Sequence, residues 1–205
     1  MFIHKHVRAT ILLTMLAVVV AIVSLNLRWY QVTKESNTTE FGLTYFVDNY
    51  GMSGYDSEYT EVHLTLLLSA LFVAIWFLLA IAYVGLIIPG EGKDRIGRTE
   101  GTVLGWVLLA ESWLTVIVFA VYIAHAYNTD MPPVPLYDPH PLDSFAGDYG
   151  LKTWGPMAGW YVAIIACIIQ SIAVLTRNLP ALLGKPEDSG EPPPDEMPHG
   201  DLPIR

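Results

Sequence analysis

Residues 28–51 read RWYQVTKESNTTEFGLTYFVDNYG and stand between two long apolar runs. Positions 41–48 alternate, with Phe41, Leu43, Tyr45 and Val47 on one side and Gly42, Thr44, Phe46 and Asp48 on the other, the period-two pattern of a strand. Ahead of them RWYQVTKE is rich in aromatic and β-branched residues, and SNTT between the two segments supplies turn formers. The expectation is an antiparallel hairpin with strands over 28–35 and 41–48. A lone hairpin is marginal in water, so it must rest on further strands or on the ends of helices.

The flanking runs say what those helices are. Of the 205 residues 53% are hydrophobic and 15% charged, and charged side chains are almost absent from about 9–27, 62–88, 102–128 and 155–176. Each window reaches the roughly 18–20 residues that cross about 30 Å of hydrocarbon. The expected fold is therefore an all-α membrane protein: a four-transmembrane-helix bundle with a small extracellular antiparallel β element in its first outer loop, 28–61. The second and third windows exceed a perpendicular crossing, so those helices tilt or project past the lipid. The first follows a basic lead-in, MFIHKHVRAT, but ends in SLNLRW without a small-x-small cleavage pattern, and reads as a retained anchor.

Lys and Arg in the connections set the orientation. Seven lie on one side (Lys5, Arg8, Lys93, Arg95, Arg98, Arg177 and Lys185) against Arg28, Lys34 and Lys152 on the other, which places both termini in the cytoplasm of a multi-pass cell-membrane protein. The outer segments carry ten acids against those three bases, a face that repels nucleic acid. The lipid bilayer and another membrane protein, or a second copy, are the expected partners. The single cysteine, Cys167, excludes an intramolecular disulfide and a Cys-based metal site. Residues 181–205 hold six acids and six prolines with little apolar mass, too little burial to offset the entropy of ordering, and read as a disordered cytoplasmic tail beyond the 1–180 membrane domain.

In layout the chain resembles the claudin-like tetraspan superfamily: four spans, both ends inside, and a large first outer loop that opens with Trp29 and continues into strands. Gly42-Leu43-Thr44-Tyr45 echoes that family's Gly-Leu-Trp with the aromatic displaced by one position, while the cysteine pair that follows it in the family is missing here. The resemblance implies lateral association, adhesion or a barrier role carried by the outer loops.

Three further signals bear on function. Gly155, Gly159, Ala163, Cys167 and Ser171 recur every four residues in the fourth span and mark a close-packing helix face, against its own bundle or a neighbour. Thr153 as a cap and Pro156 in the first turn would start that helix. Glu111 is the one formally charged side chain inside a span and must be protonated, hydrogen-bonded or wet. Counted inward from the cytoplasmic ends it lies at roughly 13 Å and Gln170 at roughly 9 Å, near enough that a bond to Gln170, Ser112 or Tyr83 is expected, with a proton or ion pathway as the alternative.

Asn37-Thr38-Thr39 is an N-glycosylation acceptor pattern in the predicted turn. His63 and His125 fall near the outer helix ends, and Asp138, His140 and Asp143 cluster in LYDPHPLDSF, but no i, i+4 ligand pair or H-E-x-x-H appears and no metal or other cofactor is expected. Nor does the chain show a phosphate-cradling loop, nucleophile elbow or redox pair. The Pro-rich second outer loop, 129–154, is expected to be extended and to display Tyr137, Leu142, Phe145 and Tyr149, or else to fold onto the hairpin. A non-enzymatic tetraspan acting through its outer loops is the reading that follows, with an accessory subunit of a membrane enzyme or a small carrier as alternatives.

Overall fold

Four helices occupy the apolar windows in the computed structural model: α1 (Lys5–Leu25), α2 (Thr60–Ile87), α3 (Arg95–Asp130) and α4 (Ala158–Leu182). The structure describes residues 5–35, 37–43, 46–47, 53–54, 57–88, 95–133 and 141–182. All four helices are long and apolar enough to cross a membrane. Leu12, Leu67, Leu78, Val121 and Ile165 point away from the bundle, whereas Thr10, Thr14, Ser69, Ser112, Thr115 and Gln170 are buried inside it. That distribution inverts the polar-outside rule of a helix in water and suits a helix surrounded by hydrocarbon. The α1–α4 and α2–α3 pairs pack most extensively, and α1–α2 and α3–α4 contacts close the ring. Buried alanines on both partners (Ala17 and Ala21 of α1; Ala166 and Ala173 of α4) allow α1 and α4 to approach closely.

At one end of the bundle lies an antiparallel sheet of β1 (Arg28–Lys34), β2 (Asn37–Gly42), β3 (Phe46–Val47), β4 (Ser53–Gly54), β5 (Gly147–Tyr149) and β6 (Lys152–Pro156). Its order is β4-β3-β2-β1-β6-β5, so both long connections contribute to one sheet and β1 is central. This supplies the support that a lone hairpin lacks.

Several expectations need correction. The turn is not SNTT: β1 ends at Lys34 and β2 already begins at Asn37, with Glu35 between them in the left-handed region at φ 56°. Thr38 and Thr39 are β-branched and fit a strand better than a turn, and Thr33 and Thr38, opposite each other in register, share a hydroxyl bond of 3.0 Å. Nor do positions 41–48 form one alternating strand. Phe41, Gly42 and Leu43 are buried in succession, and Phe46–Val47 is a separate strand.

The fourth helix starts at Ala158 instead of 155, because Thr153, Gly155 and Pro156 belong to β6 and pair with β1, Thr33↔Thr153 and Tyr30↔Pro156 among them. In the second loop Leu142 is buried and Phe145 packs against the core, so this part folds onto the molecule, while Tyr149 stays exposed; residues 134–140, with Tyr137, lie outside the described residues. Helix α3 extends past both predicted ends, α1 begins at Lys5, and α4 continues through Pro180 to Leu182; the rest of the predicted tail lies outside the described residues.

The sheet end is tied together by side chains that replace missing helix caps. Tyr59 at the N-terminus of α2 makes no side-chain cap bond. Asp130, the last residue of α3, supplies one instead: its Oδ1 accepts from Glu61 N at 2.9 Å and its Oδ2 from Val62 N at 2.8 Å. A carboxylate there satisfies two orphan N–H groups and meets the positive end of the helix dipole. Asp130→Ala is expected to cost about 0.5–2 kcal/mol of stability, read as a lower thermal midpoint in detergent, with Asp130→Asn recovering part of the loss. Asn128, two residues earlier, clamps Leu142 through both its backbone groups, donating to the carbonyl and accepting from the amide at 2.8 Å each.

Candidate functional site

The joint between sheet and bundle is built around Trp29. In a regular strand Trp29 and Tyr30 would face opposite ways, yet both are fully buried. The register explains it: Arg28 pairs with Gly42 and Tyr30 with Phe41, so Trp29 is the extra residue of a β-bulge, and the bulge turns two successive aromatics toward the bundle. The Trp29 indole donates from Nε1 to Ser24 O at 2.8 Å, satisfying a carbonyl near the C-terminus of α1. Its ring meets Phe119 of α3 edge-on, centroids 5.1 Å apart, and its own carbonyl accepts from Met157 N at 2.9 Å just before α4.

Gly159 of α4 makes room for this ring. A Cβ there would stand 2.3 Å from Trp29 Cδ1 and 2.8 Å from Arg28 O. Around the joint, Tyr30 stacks on Phe145 at 5.7 Å, Phe41 meets Tyr59 at 5.4 Å, and the Lys152 ammonium lies 5.6 Å over the Tyr127 ring. Burial pushes the Tyr30 phenol above its usual range, with Tyr127 adding to the shift, so the hydroxyl is neutral at ordinary pH.

Of the other predicted loop residues, Gly42 and Leu43 are buried beside this joint, while Tyr45 lies outside the described residues. Asn37 is exposed as the first residue of β2, opposite Lys34.

The small-residue face splits. Gly155 is in β6 opposite Gln31, Gly159 seats Trp29, and Ala163 and Cys167 are buried within the bundle. The Cys167 thiol donates to Ser112 O at 3.1 Å and Ser171 Oγ accepts from Trp113 Nε1 at 3.0 Å, so this face serves α4's own contact with α3.

Glu111 and Gln170 do not meet as expected. Gln170 is fully buried; it accepts from Trp76 Nε1 at 3.5 Å and donates to Thr14 at 3.4 Å, linking α2, α4 and α1. Ser112 Oγ donates instead to Leu109 O at 2.8 Å. Glu111 is half-buried, and its Oε1 is shielded without a hydrogen-bond partner among the described residues. Similar depth along two helices did not fix the direction each side chain points.

Among the described residues no three His, Cys, Asp or Glu side chains gather as a metal site. His63 lies on α2 and His125 on α3, and Asp138 and His140 are outside the described residues. Sequence reasoning missed the bulge at Trp29 and the β5–β6 hairpin. The signal available for the hairpin was Gly150, which takes φ 60° in the two-residue turn between Tyr149 and Lys152. No protein-family model and no curated protein matches the chain.

Proposed function

We propose that this chain is a non-enzymatic tetraspan of the claudin-like kind. In this reading it crosses the cell membrane four times with both termini in the cytoplasm, and its sheet faces outward to contact other proteins in the same or a facing membrane. The observation that carries the reading is the sheet itself: two loops distant in sequence join in one platform fastened to the bundle through Trp29. A platform held this way offers a preorganised contact surface, which lowers the ordering cost of association. Its β5–β6 turn presents Leu151, 73% exposed, beside exposed Tyr149. The excess of Lys and Arg on the opposite side of the spans supports the orientation.

The protein expressed alone is expected to self-associate across a range of detergents, as seen by light scattering and cross-linking, and Leu151→Asp to reduce the associated fraction. A monomer in every detergent would count against self-contact, and obligatory copurification with a redox or transport partner would favour the accessory-subunit alternative. Orientation is tested with Cys167→Ser carrying a new cysteine at Asn37. Labelling only by reagents applied from the cytosol would reverse the assignment.

Unpartnered Glu111 Oε1 favours one second reading, a proton or ion path through the bundle. Proton flux in liposomes that disappears in Glu111→Gln is its test, and unchanged flux ends it.

A further inference from the structure

Away from the sheet, polar side chains of α2 and α4 converge on two glycines of α3. A Cβ at Gly101 would meet Arg177 Nη1 at 3.0 Å, and one at Gly105 would meet Asn178 Nδ2 at 2.7 Å and Tyr83 Cε2 at 3.0 Å. The two glycines are one helical turn apart, so their missing side chains form a single seat for these heads. Arg177 Cζ lies 5.8 Å from the centroid of the Tyr83 ring. Tyr83 and Asn178 are fully buried and Arg177 is half-buried.

One bond in the cluster is made: Asn178 Nδ2 donates to Thr102 O at 3.1 Å. The remaining capacity is unmet. The Tyr83 hydroxyl, Arg177 Nη1 and Asn178 Oδ1 are shielded and have no hydrogen-bond partner among the described residues. The Arg177 guanidinium lies over the Tyr83 ring, and by geometry neither Nη1 nor the phenol oxygen completes a hydrogen bond with a described residue. Shielded polar atoms gathered in one place are costly, and each calls for a partner.

The orphaned atoms define the chemistry of that partner. Arg177 Nη1 only donates, Tyr83 Oη donates or accepts, and Asn178 Oδ1 only accepts. A group that meets all three offers anionic oxygens to Arg177 and Tyr83 and, beside them, an O–H or N–H to Asn178. Its location narrows the choice. Asn178 closes the span Ala158–Asn178, Gly101 is the second residue of Glu100–Asp130, and Tyr83 is about one turn from the end of Thr60–Ile87. In the membrane-spanning reading, all three of these span ends lie at the level where hydrocarbon gives way to headgroups.

We propose that Tyr83, Arg177 and Asn178 form a binding site for the phosphodiester of a membrane phospholipid whose headgroup carries a hydroxyl or ammonium. The phosphate meets the half-buried Arg177 first, and displacement of that flexible head from over Gly101 lets Tyr83 donate to a second non-bridging oxygen and Asn178 Oδ1 accept from the headgroup O–H or N–H. A phosphocholine headgroup has no such donor and leaves Asn178 unpaired. The proposal rests on the membrane-spanning reading above but not on the contact role of the sheet.

The test uses the full chain in detergent with added short-chain phosphatidylglycerol, phosphatidylethanolamine or phosphatidylcholine, and with glycerol 3-phosphate and inorganic phosphate as soluble arms. Binding is read as a rise in thermal midpoint and as retained adducts in native mass spectrometry. Phosphatidylglycerol and phosphatidylethanolamine are expected to bind at least tenfold more tightly than phosphatidylcholine. Tyr83→Phe and Arg177→Gln, each confirmed as folded by size exclusion and circular dichroism, should each lose tenfold or more.

Equal binding of all three lipids, or variants that bind like the parent, would mean that the cluster holds water only, and the proposal would fall. Inorganic phosphate binding as tightly as lipid would assign the site to a soluble ion and overturn the lipid assignment. Failure of the spanning reading itself shows separately, as release of the chain from native membranes by alkaline carbonate.

Discussion

Gly159→Leu yields no folded protein in detergent, and Gly159→Ala alone lowers the thermal midpoint: this is the expected result at the most crowded of the described glycines. The added Cβ would lie 2.3 Å from Trp29 Cδ1 and 2.8 Å from Arg28 O. Neither neighbour can yield. Arg28 O is backbone at the start of the bulge, and Trp29 is fully buried, with its Nε1 held by Ser24. Overpacking of this kind costs about 1–3 kcal/mol for a small insertion, and a leucine has no space at all. Gly155→Ala is the control, because its Cβ would meet Ala146 alone, Cβ at 3.3 Å and Cα at an ordinary 3.9 Å, and a few tenths of an ångström relieve the contact. Intrinsic fluorescence melts and size-exclusion profiles of the three variants decide the matter; an unchanged midpoint in Gly159→Ala would show that the indole is not seated there.

Trp29→Ala attacks the same joint from the other side. Removing a fully buried indole leaves a cavity against Phe119 and Gly159 and takes one of two donors from Ser24 O, the Leu27 amide being the other. Large aromatic truncations of this kind cost about 3–5 kcal/mol. The loss should be local first: amides of β1 and β6 exchange faster while the four-helix ring keeps its helicity, because no other fully buried ring joins the sheet to α1 through a hydrogen bond among the described residues. Trp29→Phe keeps ring burial but not the N–H, and should lose only about 1 kcal/mol. Hydrogen exchange by mass spectrometry distinguishes the two. Uniform acceleration across helices and sheet in Trp29→Ala would mean that the joint and the bundle melt as one unit.

The helices were legible because bilayer thickness leaves few ways to read a charge-free window of that length; only their ends shifted, by up to seven residues. The strand character of residues 28–34 was legible too, from aromatic and β-branched content. The bulge was not. Successive burial of Trp29 and Tyr30 makes sense only with a bundle beneath both, and a local alternation pattern carries no information about what lies beneath. The strand over 152–156 was misread for a related reason. Thr153 and Pro156 look like the start of a helix, and what makes them a strand is pairing with Val32, Thr33 and Tyr30, far away in the chain. At Glu111 and Gln170 the residue types were found and the pairing missed, since counting residues along a helix fixes depth but not azimuth. The Tyr83, Arg177 and Asn178 cluster left no motif at all, because its residues come from two helices and its shape from the glycines of a third.

The central place of β1 has a bearing on how the protein is made. Strand β1 emerges directly after the first helix, whereas β6, which covers one of its two edges, is synthesised just before the last. Throughout most of translation, therefore, the amides and carbonyls of Tyr30 to Lys34 face no native neighbour on that side. An open edge of this kind is a template for the wrong strand. Nascent chains stalled before α4 should be the species that aggregate or recruit a chaperone, and completion of the last hairpin is the event that ends the exposure.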